Sequence, residues 1–286
     1  MELLLIARIL IALVGTGIAA WYDIFNKKNV PDNMLYAFLA VALIINIFDP
    51  TQFISKLPFA VLIILFLYLM YRSGQMGGAD LIVLAAIYSA IPMMSVPLLS
   101  SAPSPIADIL PIPSLFTILA LSAVFCALWL VAKMGPRLFK DTIKGKIKFK
   151  TLNIAMAVIM LAVYIFLLAM IIQISSFLPI SMIHMAFLTI IVALVFVFSI
   201  YKDALMSYML VWKRKVENED VIFLDALPSA LVKRMHLDRL VTLQQMKKMN
   251  KMNRKWPVLD LPAFLPCILI ALILYILFGD SILFFA

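Results

Sequence analysis

RSGQMGGADLIVLAAI (residues 72–87) sets a carboxylate, Asp80, at the head of an apolar run and directly behind two glycines, Gly77 and Gly78. Continued to Leu99, the run has the length and composition of a membrane span, since roughly 20 apolar residues cross a bilayer as helix. The stretch therefore gives the fold class and raises a question of chemistry. A lone aspartate at a helix start can satisfy the free amides of the first turn. An acid at the edge of a span is costly when desolvated, however, and such residues are usually functional.

Working outward, eight apolar runs emerge: Leu3–Tyr22, Met34–Phe48, Leu57–Tyr71, Leu81–Leu99, Leu110–Ala132, Ile154–Ile172, Ile180–Ile200 and Ala263–Phe278. The expected fold is an all-α polytopic membrane protein of six to eight transmembrane helices, eight preferred. Composition agrees: the 286 residues are 65% hydrophobic and 14% charged, against about 25% charged in soluble domains. The first run is too long for a signal peptide, and its basic residues follow rather than precede it, so it reads as a retained span.

Charge gives the expected orientation. Every Lys and Arg except Arg8 and Lys56 falls after the first, third, fifth or seventh span. Basic loops face the cytoplasm, which puts both termini outside. Arg8, inside the first span, is expected to snorkel to the outer interface, and Lys56 to lie in an outer loop. Pro92 and Pro97 kink or end the fourth span. The net charge of +9 is thus topology rather than nucleic-acid binding.

The chain divides into a membrane region carrying the candidate site (1–132), a basic cytoplasmic loop (133–150), membrane helices (151–200), a cytoplasmic segment (201–260) and a C-terminal membrane helix (261–286). In the basic loop, KIKFK suits a short strand or extended piece. In the cytoplasmic segment Leu237, Leu240, Val241, Met246, Met249 and Met252 recur near helical spacing with Lys and Arg opposite. That pattern fits a basic amphipathic helix lying on membrane lipids, or equally one packing its Met face on protein.

The topology supplies Asp80 with a partner. Asp23 ends the first span, which runs inward, and Asp80 begins the fourth, which runs outward, so both lie at the cytoplasmic interface. Two carboxylates that approach closely in a low-dielectric site cannot both ionise; one keeps a proton and the other is a base. Such a pair activates water against a peptide carbonyl with no metal and no nucleophilic side chain. Two cysteines, Cys126 and Cys267, and two histidines, His184 and His236, are too few and too scattered for a four-ligand zinc site. Gly77 and Gly78 are expected to permit backbone geometry that other residues resist and to let a substrate backbone come close; a plain turn is the other reading.

These residues resemble a known group. YDIFNKKNVPDN (Tyr22 to Asn33) resembles the first active-site motif of the type IV prepilin peptidase and archaeal preflagellin peptidase family, and GGAD (Gly77 to Asp80) resembles its Gly-x-Gly-Asp motif. Tyr22 and Pro31 support the match. Ala79 stands in place of the second glycine, and Asp32 where Asn is usual. The resemblance implies a membrane aspartyl endopeptidase with Asp23 and Asp80 catalytic, Gly77, Gly78 and Ala79 forming the substrate loop, and no cofactor. Its partners would be precursor pilins or flagellins, each with a short basic leader and an apolar helix, cut at the cytoplasmic face. Lys27 and Lys28 would contact lipid headgroups. Bacterial relatives carry a four-cysteine zinc domain and an N-methyltransferase activity, so the missing cysteines imply cleavage without methylation. Presenilin and signal peptide peptidase use similar motifs, but their Pro-Ala-Leu motif is absent here. From the residues alone, an ion-coupled transporter is the alternative; the interfacial aspartates and lack of an inverted repeat argue against it.

Overall fold

The computed structural model describes residues 2–26, 30–74, 76–92, 114–147, 149–174, 182–252 and 254–279. In chain order the elements are α1 (Glu2–Phe25), α2 (Asp32–Ile44), α3 (Pro50–Arg72), α4 (Gly78–Ala90), α5 (Ser114–Ile143), α6 (Thr151–Ile174), α7 (Met182–Met209), β1 (Leu210–Lys213), β2 (Val221–Ile222), α8 (Ser229–Met235), α9 (Leu243–Asn250), β3 (Trp256–Leu259) and α10 (Leu265–Phe278). Each of the eight apolar runs contains a helix. Five helices, α1, α3, α5, α6 and α7, hold stretches long and apolar enough to cross a membrane, while α2, α4 and α10 are shorter. α4 ends at Ala90, ahead of Pro92, rather than at Leu99; Pro97 lies outside the described residues. α5 continues as helix through the basic stretch as far as Ile143.

The short helices occupy the middle of the bundle. Val83, Leu84 and Ile87 of α4, Leu35 and Phe38 of α2, and Ile268 and Leu272 of α10 join Ala12 and Ala19 of α1 and Ile118 and Leu121 of α5 in one buried cluster. Burying α4 this completely needs apolar residues around its whole circumference, which its sequence provides. By contrast α3 and α6 present Leu62, Ile64, Leu65, Ile159 and Phe166 outward, an apolar surface of the kind that meets lipid. Where α1 meets α2, a Cβ on Gly15 would lie 2.3 Å from the Phe38 ring, so glycine is what allows the two helices to touch.

Two basic residues are not where the sequence suggested. Arg8 does not snorkel; it is 1% exposed. Its Nη1 donates to Asn46 Oδ1 at 3.0 Å and to the Ala90 carbonyl at 3.1 Å. Lys56 belongs to α3 rather than a loop, is 3% exposed, and donates to the carbonyls of Tyr88 at 3.2 Å and Ser89 at 3.0 Å. Both cations therefore end on the last carbonyls of α4, the groups a helix leaves unsatisfied and the negative end of its dipole. Asn46 adds a hydrogen bond to Ser89 Oγ at 3.0 Å. The outer lipid interface lost to local acceptors, because a buried cation needs partners.

The stretch from residue 210 to 260 is a small folded unit rather than a single amphipathic helix. β3 is the central strand of an antiparallel sheet ordered β1-β3-β2, an element absent from the all-α expectation. Leu237, Val241 and Met249 pack with Val216, Ile222, Trp256 and Val258 in a second core, so these apolar positions face protein and not lipid. Only Leu243–Asn250 of the expected long helix is helical there, opened by Thr242 and Gln245 in a reciprocal capping box. Leu240 instead bridges to Val221 as extended chain. Among the described residues of KIKFK, no strand forms.

Candidate active site

Asp23 occupies the last turn of α1 and Asp80 the first turn of α4. The two helices run antiparallel. Near the start of α1, Arg8 meets Ala90 at the end of α4, so the far end of α1 meets the beginning of α4. The fifteen residues from Arg8 to Asp23 rise about 22 Å along the axis, which separates the cationic end of the bundle from the acidic one. At the acidic end Asp23 and Asp80 are close enough to interact electrostatically. The structure thus brings together the two carboxylates that topology paired.

Each is held by a helix N-terminus. Asp80 Oδ2 accepts the Gly77 N–H at 3.0 Å, closing the first turn of its own helix. Asp23 is buried, and its Oδ2 accepts the Leu265 N–H at 3.1 Å, the first residue of α10. Amides at helix starts carry partial positive charge and lack intrahelical acceptors, so they hold a carboxylate in one orientation. The capping reading of Asp80 is therefore true of its geometry and compatible with a chemical role. The contribution of α10 was not visible in the sequence: nothing local in FLPCIL marks Leu265 as a partner of Asp23.

The glycine loop differs in mechanism from the expectation. Gly77 has φ −78° and ψ 161°, and the positive-φ glycines among the described residues are Gly74, Gly145 and Gly279. Gly77 and Gly78 are thus not required for unusual backbone angles. They provide space. A Cβ on Gly78 would stand 2.9 Å from both carboxylate oxygens of Glu219, and one on Gly77 would stand 3.3 Å from Asp80 Oδ2. Ala79 is the second residue of α4, where helical backbone suits alanine and glycine is not needed. The true left-handed turn lies earlier, at Gly74, φ +71°.

Of the supporting motif residues, Tyr22 packs partly buried against the core. Pro31 precedes α2 as its N-cap, and Asp32 sits exposed in the first turn of that helix, where a negative charge is favoured as well as an asparagine would be tolerated. Lys27 and Lys28 lie outside the described residues. Cys126 and Cys267 are both free and lie near each other and near Asp80, so α5 and α10 also border the site. Among the described residues no three His, Cys, Asp or Glu side chains cluster as a metal would require.

Two acids at one end of a bundle, one buried and one partly so, have the components for general acid–base catalysis on a bound chain. A family model with the description Type IV leader peptidase family matches residues 10–131. No curated protein and no solved structure matches the chain. The matched region runs from α1 into α5 and carries both aspartates together with the glycine loop, and over this region the chain is similar to the type IV leader peptidase family, a family of membrane proteases.

Proposed function

We propose that the protein is a membrane aspartyl endopeptidase that removes the short basic leader from archaeal prepilins or preflagellins at the cytoplasmic face, without N-methylation. The observation that carries the reading is the convergence of Asp23 and Asp80 at one end of antiparallel helices, each oriented by a backbone amide. One carboxylate, ionised, takes a proton from water as the oxygen attacks the scissile carbonyl. The other, protonated, donates to the carbonyl oxygen as the tetrahedral intermediate forms. Collapse breaks the C–N bond: the leaving nitrogen takes the proton that the first carboxyl gained from water, a hydroxyl of the intermediate returns its proton to the second carboxylate, and the pair again holds one proton. The pair titrates as a unit.

The clustering of basic residues in the loops after alternate spans supports a cytoplasmic site with both termini outside. The reading without methylation rests on the two-cysteine count. The test is cleavage of a precursor pilin by membranes containing the protein: a shortened product with an unmethylated N-terminus is expected from the wild type, and none from Asp23→Asn or Asp80→Asn.

A further inference from the structure

The sheet unit reaches the site through one side chain. Glu219 lies in the turn between β1 and β2, and its Oε2 accepts the Gly78 N–H at 3.2 Å while its Oε1 accepts the Tyr71 hydroxyl at 3.2 Å. The two neighbouring amides at the start of α4 are therefore shared between two acids: Gly77 N–H goes to Asp80 and Gly78 N–H to Glu219. Gly78 has no Cβ in the space the Glu219 carboxylate fills.

The turn is built to hold this side chain out. Glu219 has φ +66°, a left-handed conformation uncommon for a residue other than glycine, asparagine or aspartate. Its N–H donates to the Val241 carbonyl at 3.0 Å, and the Val241 N–H donates to the Asp220 carbonyl at 3.0 Å. Asp220 is fixed in turn by Lys213 Nζ at 3.0 Å and by the Glu217 N–H at 2.8 Å. Left-handed strain persists where the surroundings over-determine it, and it clusters at functional positions.

We infer that Glu219, supplied by the sheet unit, is a positioning residue for Asp80: it occupies the Gly78 amide and the Tyr71 hydroxyl, so that the turn holding Asp80 has a single arrangement. With Glu219 in place, Gly77 is the amide left to Asp80, and the carboxylate stays turned toward its own helix start. This inference rests on the peptidase reading for its kinetic consequence. The docking of the sheet unit onto α3 and α4 does not.

The experiment measures cleavage kinetics and backbone hydrogen exchange over 74–82 on the full chain in membranes, for the wild type, Asp80→Asn, Glu219→Ala, Glu219→Gln and Tyr71→Phe. Glu219→Ala is expected to speed exchange at the start of α4 and to lower kcat about tenfold with KM little changed, the size of one hydrogen bond to a charged group. Glu219→Gln keeps an oxygen acceptor and is expected to restore most of both readouts. Tyr71→Phe, which leaves the sheet unit's own core untouched, is expected to lie between wild type and Glu219→Ala. Wild-type exchange and wild-type kcat in Glu219→Ala would overturn the inference, as would faster exchange with kcat unchanged. A wild type that cleaves nothing, or an active Asp80→Asn, defeats the peptidase reading instead, and the exchange readout still decides whether Glu219 holds the turn.

Discussion

Asp23 and Leu265 are 242 residues apart in sequence, yet the Asp23 carboxylate accepts the Leu265 N–H at 3.1 Å. The last helix of the chain thereby orients a side chain at the end of the first, and the site depends on α10, which the matched family region does not include. A chain cut before residue 261 retains both aspartates and loses the amide that holds one of them.

Replacing Asp23 or Asp80 by Asn keeps an oxygen acceptor for the Leu265 or Gly77 N–H and removes the proton-transfer group. Cleavage of a precursor pilin is expected to fall by about a thousandfold or more, the scale of general acid–base catalysis. Thermal unfolding in detergent should move little, which separates loss of chemistry from loss of fold.

Gly15 and Gly17 make a contrast within one helix. A Cβ at 15 would meet Phe38 at 2.3 Å, whereas nothing lies within 4 Å of one at 17. Gly15→Ala is expected to destabilise by about 1–3 kcal/mol through overpacking. Gly17→Ala is expected to leave stability unchanged or raise it by up to about 1 kcal/mol, since alanine favours helix. Denaturation of the two variants side by side checks the packing of α1 on α2.

Gly78→Ala is expected to impair activity more than Gly77→Ala, because the first places its methyl 2.9 Å from Glu219 and the second 3.3 Å from Asp80. Combining Gly78→Ala with Glu219→Gly removes the clash and should recover part of the loss. An additive double variant would contradict the contact.

Arg8→Met and Lys56→Met leave carbonyls at the end of α4 without their cationic donors. Each is expected to cost about 1–3 kcal/mol of stability, the scale of a lost buried hydrogen bond to a charged group. Activity per folded molecule should persist, because both cations lie at the opposite end of α4 from Asp80.

Asp49 caps α3, accepting the Thr51 hydroxyl at 2.9 Å and the Gln52 N–H at 3.3 Å. The Thr51 hydroxyl first, then the Gln52 amide and the Arg8 charge, hold its carboxyl below the usual carboxylate range. A depressed folded-state value means the stabilisation is present in full above the ordinary aspartate value of about 4 and is lost as pH falls through the lower folded-state value. Asp49→Ala should therefore lower Tm at neutral pH, and the difference from wild type should shrink on acidification.

Helix placement was legible because apolar runs of membrane length need only composition and period. The pairing of Asp23 with Asp80 was legible because an antiparallel crossing fixes which ends meet. Arg8 was misread: its acceptors, Asn46 and Ala90, come from other elements, and a single-span reading offers a cation only the interface. The sheet was missed for a related reason. Its central strand contains Pro257, which argues against a central strand, and its neighbour β2 is only Val221–Ile222. Non-local pairing holds them, with Val221 and Ile222 opposite Leu259 and Val258. Glu219 carried no local signal, since its role arises only when that sheet docks beside Gly78.

The thirteen residues of α4 rise about 20 Å, while the hydrocarbon core of a bilayer is about 30 Å thick. α4 is thus about 10 Å shorter than that core, and α2 and α10 beside it are similarly short. Because Ala90 stands at the level of Arg8, the missing length lies at that end, and Asp80 stays level with Asp23, the acid that ends the full-length α1.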